Sequence, residues 1–167
     1  WKDIIPATDN LLEGVSTGGG KLFASYLEKA TNRIYQMNYD GSDKVAIELP
    51  GLGSAGGFSG KKEDTQLFYS FTSFIYPSII FNYDIESGTS APFFETELKF
   101  SPEDYVEKQV EYKSKDGETV TMFIVHKKGL ELDGTNPTYL YGYGGFNISL
   151  TPSFSTSRII LLENNGV

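Results

Sequence analysis

The sequence predicts a mixed fold, with blade-like groups of short strands over its first hundred residues and a hairpin plus a strand–helix unit over the rest. Three observations carry this. Two strand-like segments share an ending: Ile34-Tyr35-Gln36-Met37-Asn38-Tyr39-Asp40-Gly41 and Ile79-Ile80-Phe81-Asn82-Tyr83-Asp84, with Tyr39 and Tyr83 separated by 44 positions. The pattern then changes at Ser101-Pro102-Glu103-Asp104. Beyond it, a candidate helix lies between a short aromatic run and Val167.

The elements follow in chain order. Leu11–Thr17 and Lys21–Glu28 are apolar-rich and separated by Gly18-Gly19-Gly20, which predicts a strand pair. Asn32–Tyr39 alternates and runs into Asp40-Gly41, a turn signal. Gln66–Phe74 and Ser78–Asp84 repeat the arrangement and stop at Glu86-Ser87-Gly88. A period of about 40–50 residues with several strands per repeat is the signature of propeller blades. Two unrelated hairpins of a sandwich fit the same two copies, and the pattern leaves both readings open. Gly51–Gly57 is glycine-rich without the Lys-Ser/Thr of a phosphate loop, and it reads as a connection between blades.

Ser101-Pro102-Glu103-Asp104 fits a helix start, with a capping serine and proline at the first helical position. It predicts a junction between Glu97 and Tyr105, dividing the chain into 1–98 and 99–167. Val106–Tyr112 and Glu118–His126 pair as a hairpin across Ser114-Lys115-Asp116-Gly117. Thr138–Gly142 reads as a short buried strand. Arg158–Glu163 reads as helix, capped by Ser153 or Ser155 and stopped by Asn164-Asn165-Gly166. With Val167 at the start of a further strand, this is the crossover unit of an α/β sheet, expected to be incomplete in this chain.

Composition narrows the function. The net charge is −8, and an acidic surface repels phosphate backbones, so nucleic acid is not an expected partner. Without cysteine there is no disulfide, thiolate metal site or cysteine nucleophile. No apolar run approaches the ~20 residues of a membrane span, and no signal peptide is read. Cytoplasm and periplasm both remain open.

Several motifs together carry a resemblance. Ser114-Lys115-Asp116-Gly117 with Met122-Phe123-Ile124-Val125-His126-Lys127-Lys128, Lys127-Lys128-Gly129-Leu130, and above all Tyr141-Gly142-Tyr143-Gly144-Gly145-Phe146-Asn147-Ile148-Ser149 resemble the prolyl oligopeptidase family. Upstream, Phe58-Ser59-Gly60 and Phe68-Tyr69-Ser70-Phe71-Thr72-Ser73-Phe74 resemble that family's last propeller blades. The resemblance covers essentially the whole chain. It implies about the last two of seven β-propeller blades, followed by the first strands and helix of an α/β-hydrolase domain. It also implies a serine endopeptidase that cuts short proline-containing peptides after proline. No metal or organic cofactor is expected. The parent is expected to be a monomer that engages neither nucleic acid nor membrane.

The family's nucleophilic serine sits in a Gly-x-Ser-x-Gly elbow. No such elbow is read here, and serine, aspartate and histidine are all expected beyond Val167, leaving these residues inactive alone. His126, the only histidine, reads as structural or surface. Glu95, Glu97, Glu103 and Asp104 read as solvated charge around a linker.

For Tyr141–Phe146 the residues admit a plain glycine turn, an RNA-stacking strand, or the loop of an α/β-hydrolase that donates to an oxyanion hole. Charge argues against RNA. Pattern alone does not choose between Tyr141 and Tyr143; the resemblance implies that Tyr143 is the oxyanion-hole donor and that Phe146 lines the proline pocket. Rival readings are a related oligopeptidase cutting after basic residues, an acylaminoacyl peptidase, and a noncatalytic propeller module that binds a partner.

Overall fold

A computed structural model describes residues 1–167. Strands β1 (Leu11–Gly18), β2 (Lys21–Glu28), β3 (Thr31–Met37) and β4 (Val45–Ala46) form one antiparallel sheet in chain order. Strands β5 (Ser54–Gly56), β6 (Gln66–Thr72), β7 (Ile79–Asp84) and β8 (Thr89–Phe94) form a second of the same design. A turn of 3-10 helix at Pro102–Asp104 leads into the hairpin of β9 (Tyr105–Lys113) and β10 (Thr119–Lys127). The only α-helix, α1, is Thr156–Glu163.

Each four-stranded sheet is a meander, the unit from which propellers are built. The two repeated segments occupy equivalent places, since β3 and β7 are each the third strand of their sheet. Asp40, just beyond β3, and Asp84, the last residue of β7, each hold a turn. Asp40 accepts from the Ser42 amide and hydroxyl, and Asp84 from those of Ser87. The equivalence stops at the side chains: Tyr83 is buried in the core, whereas Tyr39 is exposed beyond the end of β3. Sequence reading missed β4, β5 and β8. The first two are only 2 and 3 residues long, and β8 is largely exposed and contains Pro92.

The core lies between the two sheets. In β6 Leu67, Tyr69 and Phe71 point inward while Gln66, Phe68 and Ser70 point out, the two-residue period of a half-buried strand. Phe23 and Ile34 come from the first sheet to meet them, with Phe58 between. Phe58 stacks on Tyr69 at 4.4 Å and on Phe23 at 5.7 Å, and meets Tyr83 edge-on at 5.9 Å. Such pairs add about 0.5–1.5 kcal/mol each beyond burial. The β1–β2 turn presses so closely on Ile85 that residue 19 has no room for a Cβ, and its φ of +53° suits the glycine found there. The first sheet buries its other face too, where Ala24, Tyr26 and Met37 pack with Ile5.

The hairpin rests on turns of both sheets through one face of β9. Glu107 accepts from the Ser73 hydroxyl at 2.7 Å and the Ile75 amide at 2.9 Å. The Gln109 amide donates to Lys29 O at 2.5 Å, and Glu111 pairs with Lys29 Nζ at 2.7 Å. From β10, Phe123 packs on Phe74 at 5.2 Å. β8 and β9 lie in separate sheets, and no sheet runs through the segment between them.

Helix α1 closes a small second core of Ile75, Tyr105, Ile159 and Leu162. It begins at Ser155, whose side chain makes no capping bond. It ends at Asn164-Asn165-Gly166: the Gly166 amide returns to Leu161 O and the Asn165 amide to Leu162 O, with Asn165 at φ +58°. This is a Schellman stop, with asparagine in the left-handed position. Glu163 accepts from the Tyr105 hydroxyl and from Lys127 Nζ, fastening the helix end to the hairpin.

The buried strand expected over 138–142 is not formed. Tyr139 and Tyr141 are more than half exposed and Leu140 is 81% exposed. The segment is extended, but its backbone partner is a single residue: Val167 N donates to Pro137 O at 2.8 Å, and Tyr139 N donates to Val167 O at 2.9 Å. One residue bonded to both neighbours of Thr138 is the pattern of a parallel pair. A ladder of one residue does not make a strand, however strongly the aromatic residues favour one.

Desolvation raises the Glu107 carboxyl above its ordinary range and outweighs its hydrogen bonds, which pull the other way. A carboxyl held high in the fold contributes most stability when protonated, below the ordinary carboxylate range, and that contribution is lost as pH rises through the folded value. Glu107→Gln keeps the acceptor and removes the charge, so its melting temperature at pH 7 should equal or exceed that of the wild type and vary less between pH 4 and 7. Glu107→Ala strands the buried Ser73 hydroxyl, leaves the Ile75 amide only its 3.2 Å bond to Ser73 Oγ, and should cost about 1–3 kcal/mol at both pH values. Thermal melts of the three proteins across that range check both outcomes.

Candidate functional site

The glycine–aromatic segment follows β10 after a polar loop in which Asp133 accepts from the Thr135 amide and hydroxyl. Pro137 then sets the chain extended toward Gly144. Tyr139 and Tyr141 stack with centroids 6.3 Å apart and planes within 7° of parallel, so they share one face, as residues two apart in an extended chain do. Further along the chain, Pro152 is fully buried and its carbonyl accepts from Ser54 Oγ at 2.8 Å.

Tyr143 does not simply continue the row of tyrosines. Its ring folds back over Gly145: a Cβ added there would lie 2.7 Å from the Tyr143 hydroxyl oxygen and 2.9 Å from Cζ. A side chain at residue 145 would therefore require the phenol to move aside. Nothing lies within 4 Å of a Cβ at Gly142 or Gly144, which need no such account.

Beyond Gly145 the chain turns sharply. The Ile148 amide donates to Gly145 O at 3.1 Å, and the two residues between, Phe146 and Asn147, have φ of +54° and +56°. Two successive left-handed residues under a four-residue hydrogen bond are the form of a type I′ turn. Phenylalanine is a costly occupant, at roughly 1–2 kcal/mol for the left-handed backbone. The ring gains nothing from packing in exchange, being 92% exposed. Tyr143 and Phe146 thus lie on either side of the Gly144-Gly145 pair, the hydroxyl folded in and the ring thrust out.

His126 is buried in β10, with Nδ1 at 2.8 Å from Lys127 O and no partner for Nε2. No serine or carboxylate bonds to it, so it has the surroundings of a structural histidine. Glu103 is tied to Ser101 Oγ and to the Tyr76 hydroxyl, and no group of three or more His, Asp or Glu is gathered as for a metal.

A Gly-x-Ser-x-Gly string does occur, at Gly14-Val15-Ser16-Thr17-Gly18, and sequence reading passed over it. It lies within β1 rather than at a strand-to-helix elbow, and Ser16 donates to Phe58 O. With no histidine or carboxylate bonded to it, Ser16 has no base to activate it. Gly145 and Asn147 are the other residues missed. The Gly-Gly pair signalled the first, and only the tolerance of asparagine for left-handed backbone hinted at the second.

Residues 1–96, more than half of the chain, match the family described as prolyl oligopeptidase, N-terminal β-propeller domain. The chain belongs to the prolyl oligopeptidase family. The matched residues contain both four-stranded sheets. Among relatives, the chain is 48% identical over 167 residues to a prolyl endopeptidase of Elizabethkingia meningoseptica, covering all of this chain and 24% of that protein. It is 37% identical over 172 residues to the prolyl endopeptidase of Dictyostelium discoideum, covering all of this chain and 22% of that one. A solved prolyl endopeptidase, from work on inter-domain dynamics in catalysis and specificity, superposes with a TM-score of 0.90 at 38% identity, over 99% of this chain and 25% of that one. Prolyl oligopeptidase B of Galerina marginata, bound to a 35-residue hydrolysis and macrocyclization substrate, superposes at 0.81 and 31% identity over 92% of this chain and 22% of its own. The chain thus spans about a quarter of the length of the relatives it matches.

If the phenol occupies the space over Gly145, Gly145→Ala should displace the Tyr143 ring while the rest of the fold stays intact. Tyr143 ring resonances should shift well beyond those of Tyr139 and Tyr141, with the melting temperature nearly unchanged. Unmoved Tyr143 resonances would show that the hydroxyl is not held there.

Proposed function

We propose that this chain is part of a serine endopeptidase that hydrolyses short peptides on the carboxyl side of proline. The observation that carries the reading is the arrangement around Gly144-Gly145: a phenol donor folded over the turn, and an exposed phenylalanine 3 residues further along. The prolyl endopeptidase names of the relatives, at up to 48% identity, support the same substrate class.

In this reading residues 1–98 are propeller blades and 99–167 begin an α/β-hydrolase domain. The parallel bonding of Val167 about Thr138, with α1 as the crossover between them, supports that second assignment. Active sites of open α/β sheets lie at the carboxyl ends of strands, which is where Tyr143 falls relative to the extended segment.

Tyr143 acts as an oxyanion-hole donor. When serine attacks the peptide carbonyl, its oxygen gains negative charge, and a neutral phenol aimed at that oxygen stabilises the tetrahedral intermediate more than the ground state. Phe146 forms a flat apolar wall against the pyrrolidine ring of the proline before the scissile bond. The attacking serine and its His–Asp pair are supplied by the longer protein, because neither Ser16 nor His126 has a partner that would activate it.

The test is made in the full-length protein. Tyr143→Phe should lower kcat for a proline chromogenic peptide by about 10²–10³ with little change in melting temperature. An arginine peptide should be cleaved far more slowly than the proline one by the wild type. Unchanged kcat in the variant, with chemistry shown to be rate-limiting, would remove Tyr143 from the oxyanion hole; preference for arginine would favour the related oligopeptidase. Residues 1–167 alone should hydrolyse neither peptide, and activity that survives removal of contaminating protease would contradict the assignment of the nucleophile elsewhere.

A further inference from the structure

We infer that Asn147 is the positioning residue for Phe146, acting through its backbone rather than its side chain. The inference rests on the reading of Phe146 as a wall of the proline pocket. Phe146 is held by the turn and by little else. The residue is 92% exposed, so no packing within residues 1–167 fixes the direction of its ring. What holds it is the Gly145–Ile148 hydrogen bond at 3.1 Å, closed here over two left-handed residues, Phe146 and Asn147.

The two residues differ in how well they tolerate that backbone. Phenylalanine tolerates it badly, while asparagine is one of the few side chains that adopt it readily. Asn147 therefore supplies the half of the turn that is intrinsically stable, and Phe146 is carried into its unfavourable conformation by its neighbour. The Asn147 amide makes no hydrogen bond to any other residue, although 42 side-chain hydrogen bonds are formed elsewhere in the chain. Within residues 1–167 the side chain has no partner to position, and its φ preference is the contribution the structure shows.

A backbone role has a signature that a contact role lacks. Glycine accepts left-handed φ at least as well as asparagine, alanine less well, and β-branched valine least. In the full-length enzyme, KM for a proline peptide should therefore be near wild type in Asn147→Gly, raised in Asn147→Ala, and raised most, by roughly tenfold, in Asn147→Val, with kcat changing much less. Residue 147 is exposed, so all three variants should melt close to the wild type.

Phe146→Ala serves as the reference. If it raises KM and the Asn147 series follows the order glycine, alanine, valine, the inference stands. If it raises KM while Asn147→Val matches the wild type, or Asn147→Gly is as impaired as Asn147→Val, the backbone role is overturned and the pocket assignment survives. If Phe146→Ala leaves KM unchanged, the pocket assignment itself fails and the inference falls with it.

Discussion

The aromatic seam between the two four-stranded sheets is the constraint from which the rest of the structure follows. A four-stranded meander with one apolar face cannot bury that face by itself, so two of them must be laid together. Phe58 makes this possible. It belongs to neither ladder, lies on the stretch joining β5 to β6, and touches rings from both sheets. Asn32 adds a polar tie across the same seam: its Oδ1 accepts from the Ala55 amide of the second sheet, while its Nδ2 donates to Glu13 of its own sheet. A rigid pair of sheets offers fixed turns at its end, and those turns are what the hairpin binds.

From there the order passes to the candidate site in steps. Ser73 and Ile75 meet Glu107, and the Lys29 turn meets Gln109 and Glu111, so β9 is set by the sheets beneath it. The hairpin in turn holds α1 through Tyr105 and Lys127 on Glu163. The helix end then delivers Val167 to the backbone beside Thr138. The two carboxylates in this relay respond oppositely to acid. Bonds from Tyr105 and Lys127 hold Glu163 below its usual range, so its anchor is present above the ordinary carboxylate range and lost as pH falls through the folded value. Glu107, raised by burial, becomes a better fit as pH falls. Acid should therefore loosen the helix before it loosens the hairpin.

Legibility in the sequence followed the length of the ladder. β2, β6 and the β9–β10 hairpin were readable because each is a long apolar-rich or aromatic run or is closed by a strong Asp-Gly turn. The Lys29-Ala30 turn was not, since two residues with φ of +49° and +62° are held there without asparagine or glycine to announce them. Thr138–Gly142 misled because aromatic residues signal a strand while the number of backbone partners decides whether one forms. At the site, the family resemblance, not the pattern of residues, pointed to Tyr143 and Phe146 as a pair. What it could not reveal was that the phenol folds over Gly145 or that Phe146 is left-handed, because both are properties of the turn as a whole.

The account is tested most directly by a crystal structure of the full-length protein with a peptide aldehyde ending in proline. Such an aldehyde is attacked by an active-site serine to give a hemiacetal whose oxygen stands where the oxyanion forms. The Tyr143 hydroxyl is predicted about 2.7–3.1 Å from that oxygen, with the Phe146 ring against the pyrrolidine. A hemiacetal oxygen bound only by other donors, with the Tyr143 hydroxyl out of hydrogen-bond reach and Phe146 in solvent, would contradict it.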